Sequence, residues 1–303
     1  MRGVYFLEPG KLEMREVPIP QPGPGEVVIK VESATTCGTD LKAYRRGHKL
    51  FKPPMPFGHE YAGIVSAVGE GVTDFKVGDA VFAVMPAGQE GTYAEKVAVT
   101  AAVVANKPDG LSHVDAAALA LIGLTAINSV DDTLKLKKGE TILIQGGAGG
   151  VASFAIQFAK SVGAKVISTT STGNVDYVKS LGADQVIDYK TDDFTRLGQT
   201  VDCVFETVGG ETAAKSYSVL KPGGRAAFIA SGPKAPPTDR TDVQGLRPPV
   251  PRGRAQMERI ADLAVKGAVK PPEVKLFKLS DAAEAQKISE GRHFRGKLVF
   301  KIR

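Results

Sequence analysis

Residues 140–160 read "ETILIQGGAGGVASFAIQFAK". A short apolar run meets a cluster of glycines, and the chain then continues with apolar residues at helical spacing. Gly147, Gly149 and Ala152 satisfy G-x-G-x-x-G/A in the strand–turn–helix context that gives this motif its meaning. The first glycine is expected to make the tight turn and the second to let the backbone approach a pyrophosphate. The small third residue lets helix and strand pack closely. The N-terminus of the following helix offers unpaired N–H groups and a partial positive charge to phosphates. The stretch therefore predicts a dinucleotide site on a parallel sheet.

Downstream, strands and helices alternate. Strand "KVISTT", helix "VDYVKSLGA", strands "QVIDY" and "VDCVFETV", helix "ETAAKSYSVLK" and strand "GRAAFIA" follow in turn. That rhythm means βαβ units and a parallel sheet. A last helix, "RAQMERIADLAVKG" (254–267), precedes two prolines. The tail from Glu273 reads strand, helix, strand and is expected to return to the N-terminal domain. Upstream, residues 1–105 read as β. "EVVIKVESA", "YAGIVSAVG", "VGDAVFAV" and "GTYAEKVAV" are separated by glycine- and proline-rich turns, as in a small barrel or sandwich. Between the two regions, "LSHVDAAALALIGLTAINSVDDTLKL" (111–136) predicts a helix with Ser112 as its N-cap. The fold class is α/β: a β-rich domain plus a doubly wound parallel-sheet domain.

The 303 residues suit two domains. At 43% apolar and 24% charged, the composition is that of an ordinary globular protein. No uninterrupted apolar run reaches the ~20 residues that span a bilayer. Glu8 and Pro9 interrupt the N-terminus where an export signal needs its apolar centre, so a cytoplasmic location is expected. Two cysteines, Cys37 and Cys203, exclude a disulfide framework and a four-cysteine zinc lobe. The net charge of +6 is spread along the chain without aromatic–basic interleaving. That argues for an anionic cofactor rather than nucleic acid.

Cofactor choice turns on the end of the second strand after the glycine loop. An NAD site wants Asp or Glu there for the ribose hydroxyls. Thr169, Thr170, Ser171 and Thr172 stand there instead, and Asp176 falls inside the next helix. Hydroxyls can donate to a 2′-phosphate that a carboxylate would repel. NADP(H) is the expected cofactor.

The segments "PGPGEVVIKV", "CGTD", "GHEYAGIVSAVGEGVTDFKVGDAVFA", "GTYAEKVAV", "GLTA", "GGAGGVA", "LGADQVIDY", "FETVGG", "LKPGGR" and "RGKLVFKI" together resemble the medium-chain dehydrogenase/reductase superfamily. Within it they are similar to the quinone oxidoreductase-like branch, and the resemblance covers essentially the whole chain. It implies a GroES-like catalytic domain from residues 1–112 and 272–303, a Rossmann domain over 113–271, a cofactor in the cleft between them and a homodimer. It also implies that Ser171 and Tyr189 bind the 2′-phosphate. That branch often adds a lysine shortly after the hydroxyl residue, where this chain has Asn174; Lys179 is a substitute to consider. The cofactor-binding set expected on this basis is Cys37, Thr125, Gly147, Ala148, Gly149, Gly150, Val151, Ser171, Tyr189, Val208 and Ser231.

Zinc-dependent members of the superfamily use a Cys, a His–Glu pair and a further Cys or Asp near "GLTA". Cys37 and His59–Glu60 match the first two, and Thr39 matches the hydroxyl that shuttles the alcohol proton. Leu121 or Ile122 stands at the third place, and neither binds metal. A catalytic zinc normally has three protein ligands and a water. Zinc is not expected; if it is present, Cys37, His59 and Glu60 are its ligands. Without a Lewis acid, hydride transfer to an already electrophilic acceptor is the easier reaction. The expected activity is NADPH-dependent reduction of a quinone or an α,β-unsaturated carbonyl. Thr39 and His59, backed by Tyr44 and Tyr93, are the expected donors to the developing oxyanion. His48, His113 and His293 are isolated in sequence and read as local structure. The rival functions are a zinc-dependent alcohol dehydrogenase and a non-catalytic NADPH-binding protein, structural or RNA-binding.

Overall fold

A computed structural model describes residues 1–291 and 294–302 of the chain. His293 lies outside the described residues. In chain order the first elements are β1 (Arg2–Glu8), β2 (Lys11–Glu16), β3 (Glu26–Thr35), α1 (Gly38–Arg46), β4 (Met55–Pro56), β5 (Glu60–Val68), β6 (Ala80–Val84), β7 (Lys96–Thr100) and β8 (Ala105–Asn106). Then come α2 (His113–Ile127), β9 (Thr141–Ile144), α3 (Gly150–Val162), β10 (Lys165–Thr170), α4 (Val175–Ser180), β11 (Gln185–Asp188), β12 (Val201–Glu206), α5 (Gly210–Lys215) and β13 (Leu220–Phe228). The chain closes with β14 (Gln244–Leu246), α6 (Arg254–Val265), β15 (Val274–Lys278), α7 (Ala282–Gly291) and β16 (Lys297–Lys301).

Two compact units emerge. The first comprises residues 1–121, 251–265 and 271–303; the second comprises 122–250 and 266–270. In the first unit a seven-stranded sheet runs β15-β16-β3-β5-β6-β8, with β7 also paired to β3. A second sheet runs β2-β1-β4. β3 is the hinge of the arrangement because it is buried along most of its length and pairs antiparallel with β5, β7 and β16. The tail thus returns to the N-terminal sheet, Val299 opposite Thr35 and Phe300 opposite Ala34. The interior is closed by Phe6, Phe57, Tyr61, Tyr93 and Phe300, all fully buried.

In the second unit six parallel strands run β11-β10-β9-β12-β13-β14. This is the 3-2-1-4-5-6 order of the doubly wound dinucleotide fold. β9, carrying TILI, sits centrally and is buried from Ile142 to Ile144, as an apolar run between two layers should be.

Several elements differ from the sequence reading. The β1–β2 hairpin and β14 were not anticipated, nor was α1, a nine-residue helix inside a region read as β. α1 begins on an unusual cap: the Cys37 sulfur accepts from Thr39 N–H, while Asp40 reaches back to Cys37 N–H. α5 ends at Lys215, and the chain is already extended from Leu220; Pro222 disfavours helix there. The helix expected at 254–267 groups with the first unit rather than with the parallel sheet. The Arg254 guanidinium explains this. It donates to the carbonyls of Ala101 (2.9 Å) and Val104 (3.0 Å), pairs with Asp74 (2.7 Å) and lies 4.8 Å from the centre of the Phe75 ring. The helical stretch His113–Thr133 is long and apolar enough to cross a bilayer, yet 78% of its apolar window is buried inside the protein, as expected of a core helix.

Candidate functional site

The glycine loop is built where β9 ends. Gly146, not Gly147, takes the left-handed conformation (φ +72°) and makes the turn. Gly147 is needed for packing: a Cβ there would lie 2.3 Å from Ser168 Oγ and 3.0 Å from Val178. Gly149 is exposed, and a Cβ on it would meet only the Gly146 carbonyl at 3.4 Å. It caps α3 without any side-chain hydrogen bond, so the first-turn N–H groups of a thirteen-residue helix are left for a ligand. Ala148 is buried beside it, and Gly150 and Val151 open the helix. Val208 is 45% exposed and packs towards Gly146, held by the Glu206 carboxylate, which accepts from Val208 N (2.7 Å) and Gly209 N (2.8 Å). These residues fit a dinucleotide pyrophosphate.

At the ends of the next two strands, Thr170 pairs with Asp188, so Ser171 and Tyr189 leave the sheet side by side. Tyr189 N donates to Thr170 O (3.0 Å), and its ring is 49% exposed. Asn174 Nδ2 donates to Ser171 Oγ (3.0 Å). Thr169 is turned inward instead: its hydroxyl accepts from Gly146 N (3.1 Å) and donates to Gln145 Oε1 (2.6 Å). Thr125 is partly buried and its carbonyl accepts from Ser129 Oγ, while Ser231 Oγ donates to Lys234 O.

In the first unit, the end of β3, the cap of α1 and the start of β5 bring Cys37, Asp40, His59 and Glu60 together. Ligand-type atoms of Cys37, His59 and Glu60 lie within 4.8 Å of one another, as do those of Asp40, His59 and Glu90. Their partners decide what they can do. Glu60 is fully buried and both its oxygens face Lys297 Nζ, at 3.0 and 2.8 Å. Thr35 Oγ1 adds a donor at 2.7 Å, and Thr36 O accepts from the same lysine at 2.6 Å. Glu60 is thereby a neutralised structural carboxylate. His59 Nδ1 is 2.9 Å from Glu90 Oε2 and 3.1 Å from Asp40 Oδ1. Asp40 Oδ2 takes Cys37 N–H at 3.0 Å and the Tyr93 hydroxyl at 2.8 Å. Burial alone would push the imidazole down, but Asp40, followed by Cys37, holds it well above the usual histidine range. Burial raises Glu90 despite the histidine beside it. Nδ1 therefore donates towards the two acids, while Nε2 is buried with no hydrogen-bond partner among the described residues.

The zinc set expected from the family does not fit. Glu60 is held by Lys297 and Thr35, His59 has only Nε2 left beside the acids on Nδ1, and Leu121 and Ile122 are buried hydrocarbons. Cys37 and one imidazole nitrogen fall short of the usual three protein ligands.

The four expected donors separate. Thr39 is partly exposed at the start of α1. Tyr44 sits on the same helix in the hydrophobic cluster, 6% exposed. His59 and Tyr93, expected to reach the acceptor, are both 0% exposed. They stand behind the surface: Tyr93 donates to Asp40, and Asp40 and Glu90 orient His59. Sequence reasoning missed Glu90 and Lys297, which lie 31 residues and 237 residues from their partners. No local pattern could have joined them.

Comparison with known proteins extends this. Residues 23–109 match the model of the alcohol dehydrogenase GroES-like domain, and residues 181–300 match that of the zinc-binding dehydrogenase. The chain is 32% identical to a chloroplast envelope quinone oxidoreductase homolog of Arabidopsis thaliana, over 95% of this chain and 93% of that protein. It is 34% identical to the chloroplastic NADPH-dependent alkenal/one oxidoreductase of the same plant, over 95% of this chain and 75% of the relative. The structure of the Escherichia coli quinone oxidoreductase complexed with NADPH superimposes with a TM-score of 0.89 at 27% identity, covering 100% of both chains.

Proposed function

We propose that this chain, which belongs to the quinone oxidoreductase-like branch of the medium-chain dehydrogenase/reductase superfamily, is an NADPH-dependent reductase of quinones and α,β-unsaturated carbonyls that works without a metal. The observation that carries the metal-free part is the buried Lys297–Glu60 pair, which places an ammonium against the carboxylate a zinc would need. Two named relatives, a quinone oxidoreductase homolog and an alkenal/one oxidoreductase, support the acceptor class.

NADPH, when bound, supplies a hydride to the electrophilic carbon of the acceptor. The residues of this chain hold it and meet the charge that develops. The open Gly149 backbone and the uncapped start of α3 take the pyrophosphate. Ser171 and Tyr189 face the adenosine ribose. Hydride addition moves negative charge onto the acceptor oxygen, which the partly exposed hydroxyl of Thr39 can stabilise by donation, with the buried Tyr44 behind it on the same helix. Asp40, Glu90 and His59 keep the Cys37–Thr39 turn in place from behind. A homodimer and a cytoplasmic location belong to the same proposal.

The test combines elemental analysis of untagged protein, purified without chelators, with NADPH oxidation assays on benzoquinones and enones. Near-zero zinc with turnover on either acceptor class is expected. One zinc per chain, or no turnover with any acceptor despite tight NADPH binding, overturns the proposal.

A further inference from the structure

We propose that Lys190 supplies the positive charge that reads the cofactor's 2′-phosphate in this chain. The inference rests on the NADPH assignment above and specifies which side chain carries it. The family resemblance leads one to look for a lysine shortly after Ser171, but Asn174 occupies that place and its amide is engaged with Ser171 Oγ. Lys179 lies in the last turn of α4. The structure offers another cation. Lys190 follows Tyr189 directly, and its Nζ stands 5.5 Å from the centre of the Tyr189 ring. That distance is within the range of a cation–π contact.

Three features make this ammonium available. Lys190 is exposed, and among the described residues no carboxylate lies within ion-pair distance of its Nζ. Asp188, the nearest acid in sequence, accepts from Thr172 and from the Lys190 backbone N–H at 3.0 Å; it feels the charge of the Lys190 ammonium but forms no ion pair with it. Tyr189, 49% exposed, presents a flat aromatic surface beside that ammonium. Ser171, Tyr189 and Lys190 therefore place two hydroxyls and an ammonium at the ends of two adjacent parallel strands. A phosphate monoester carries close to two negative charges near neutrality and takes charge-assisted hydrogen bonds from such a group. A 2′-hydroxyl gains nothing comparable from the ammonium, so Lys190 acts on the choice between NADPH and NADH rather than on binding in general.

The experiment is fluorescence titration of NADPH and NADH against the wild-type protein, Lys190→Gln, and Lys190→Gln combined with Asn174→Lys. Adenosine 2′,5′-bisphosphate and AMP serve as probes that lack the nicotinamide. Lys190→Gln is expected to weaken NADPH and the bisphosphate about tenfold, the size of one lost hydrogen bond to a charged group. NADH and AMP should change less than twofold, and Asn174→Lys should restore NADPH affinity. A Lys190→Gln protein that keeps the wild-type ratio of NADPH to NADH affinity overturns the proposal. So does an equal loss of both cofactors, which would mark a structural role. A wild-type protein that binds the two cofactors equally overturns the NADPH assignment itself, and the proposal with it.

Discussion

Lys297 is a lysine buried to 6% exposure, and its Nζ is faced by both Glu60 oxygens and the Thr36 carbonyl. Breaking such a pair leaves an uncompensated charge in the interior, at a cost of about 3–5 kcal/mol. Lys297→Met should lower stability by that order in a urea titration, and adding Glu60→Gln should recover most of it. A Lys297→Met protein of wild-type stability would mean the pair is not buried as described. The two cysteines differ as sharply. Burial pushes the Cys203 thiol up to about 12, and the residue is fully enclosed; Cys37 is partly exposed. Alkylation of the native protein near neutral pH should label one thiol, and peptide mapping should place it at Cys37. Early labelling of Cys203 would contradict the burial.

At the scale of elements, the glycine loop separates packing from binding. Gly147→Ala drives a Cβ into Ser168 and Val178, an overpacking that costs about 1–3 kcal/mol. Gly149→Ala is sterically mild, because Gly149 already has φ −74° and ψ 154°. It should leave the Tm unchanged while weakening NADPH about tenfold by blocking close approach to the backbone. Calorimetry and cofactor titration on the two variants check both halves. The parallel sheet also carries three ion pairs: Glu140 with Arg225, Asp184 with Lys160 and Asp202 with Lys221. Burial opposes ionisation of each acid, but its cationic partner and a backbone N–H outweigh it and leave all three below the ordinary carboxylate range. A depressed folded-state value means the stabilisation is present above the unfolded pKa and lost as pH falls through the folded one. Stability should therefore hold above about pH 4.5 and decline progressively below it. A pH series of urea midpoints tests the sign; stability that rises on acidification would refute it.

At the scale of the whole molecule, the order of elements along the chain and the grouping of elements in space part company. α6 is preceded and followed by segments of the parallel-sheet unit, yet Arg254 anchors it to the Ala101 and Val104 carbonyls just before β8. Arg254→Ala should lower the Tm by about 2–4 °C and raise hydrogen exchange across residues 254–265, leaving the β9–β13 strands protected. Uniform loss of protection would mean that α6 is not held by this residue. The tail is a second case: β16 closes on β3 across more than 260 residues of sequence, and so delivers Lys297 to Glu60.

The sequence by itself determined the parallel sheet, the glycine loop and the hydroxyl-rich end of β10, because each is written in contiguous residues: an apolar run, a spacing of glycines, the lack of a carboxylate. It also carried the family, since those segments persist along the whole chain. Only the tertiary structure decided the state of the Cys37–His59–Glu60 group. The ionic partner of Glu60, the second acid on His59 and the burial of Tyr93 come from residues far apart in sequence, and an outline of metal ligands looks the same whether an ammonium or a metal ion faces it. The same holds within the loop, where which glycine turns and which one packs depends on Ser168 and Val178. Local chemistry fixes what a residue can do, and long-range packing fixes which of its atoms remain free to do it.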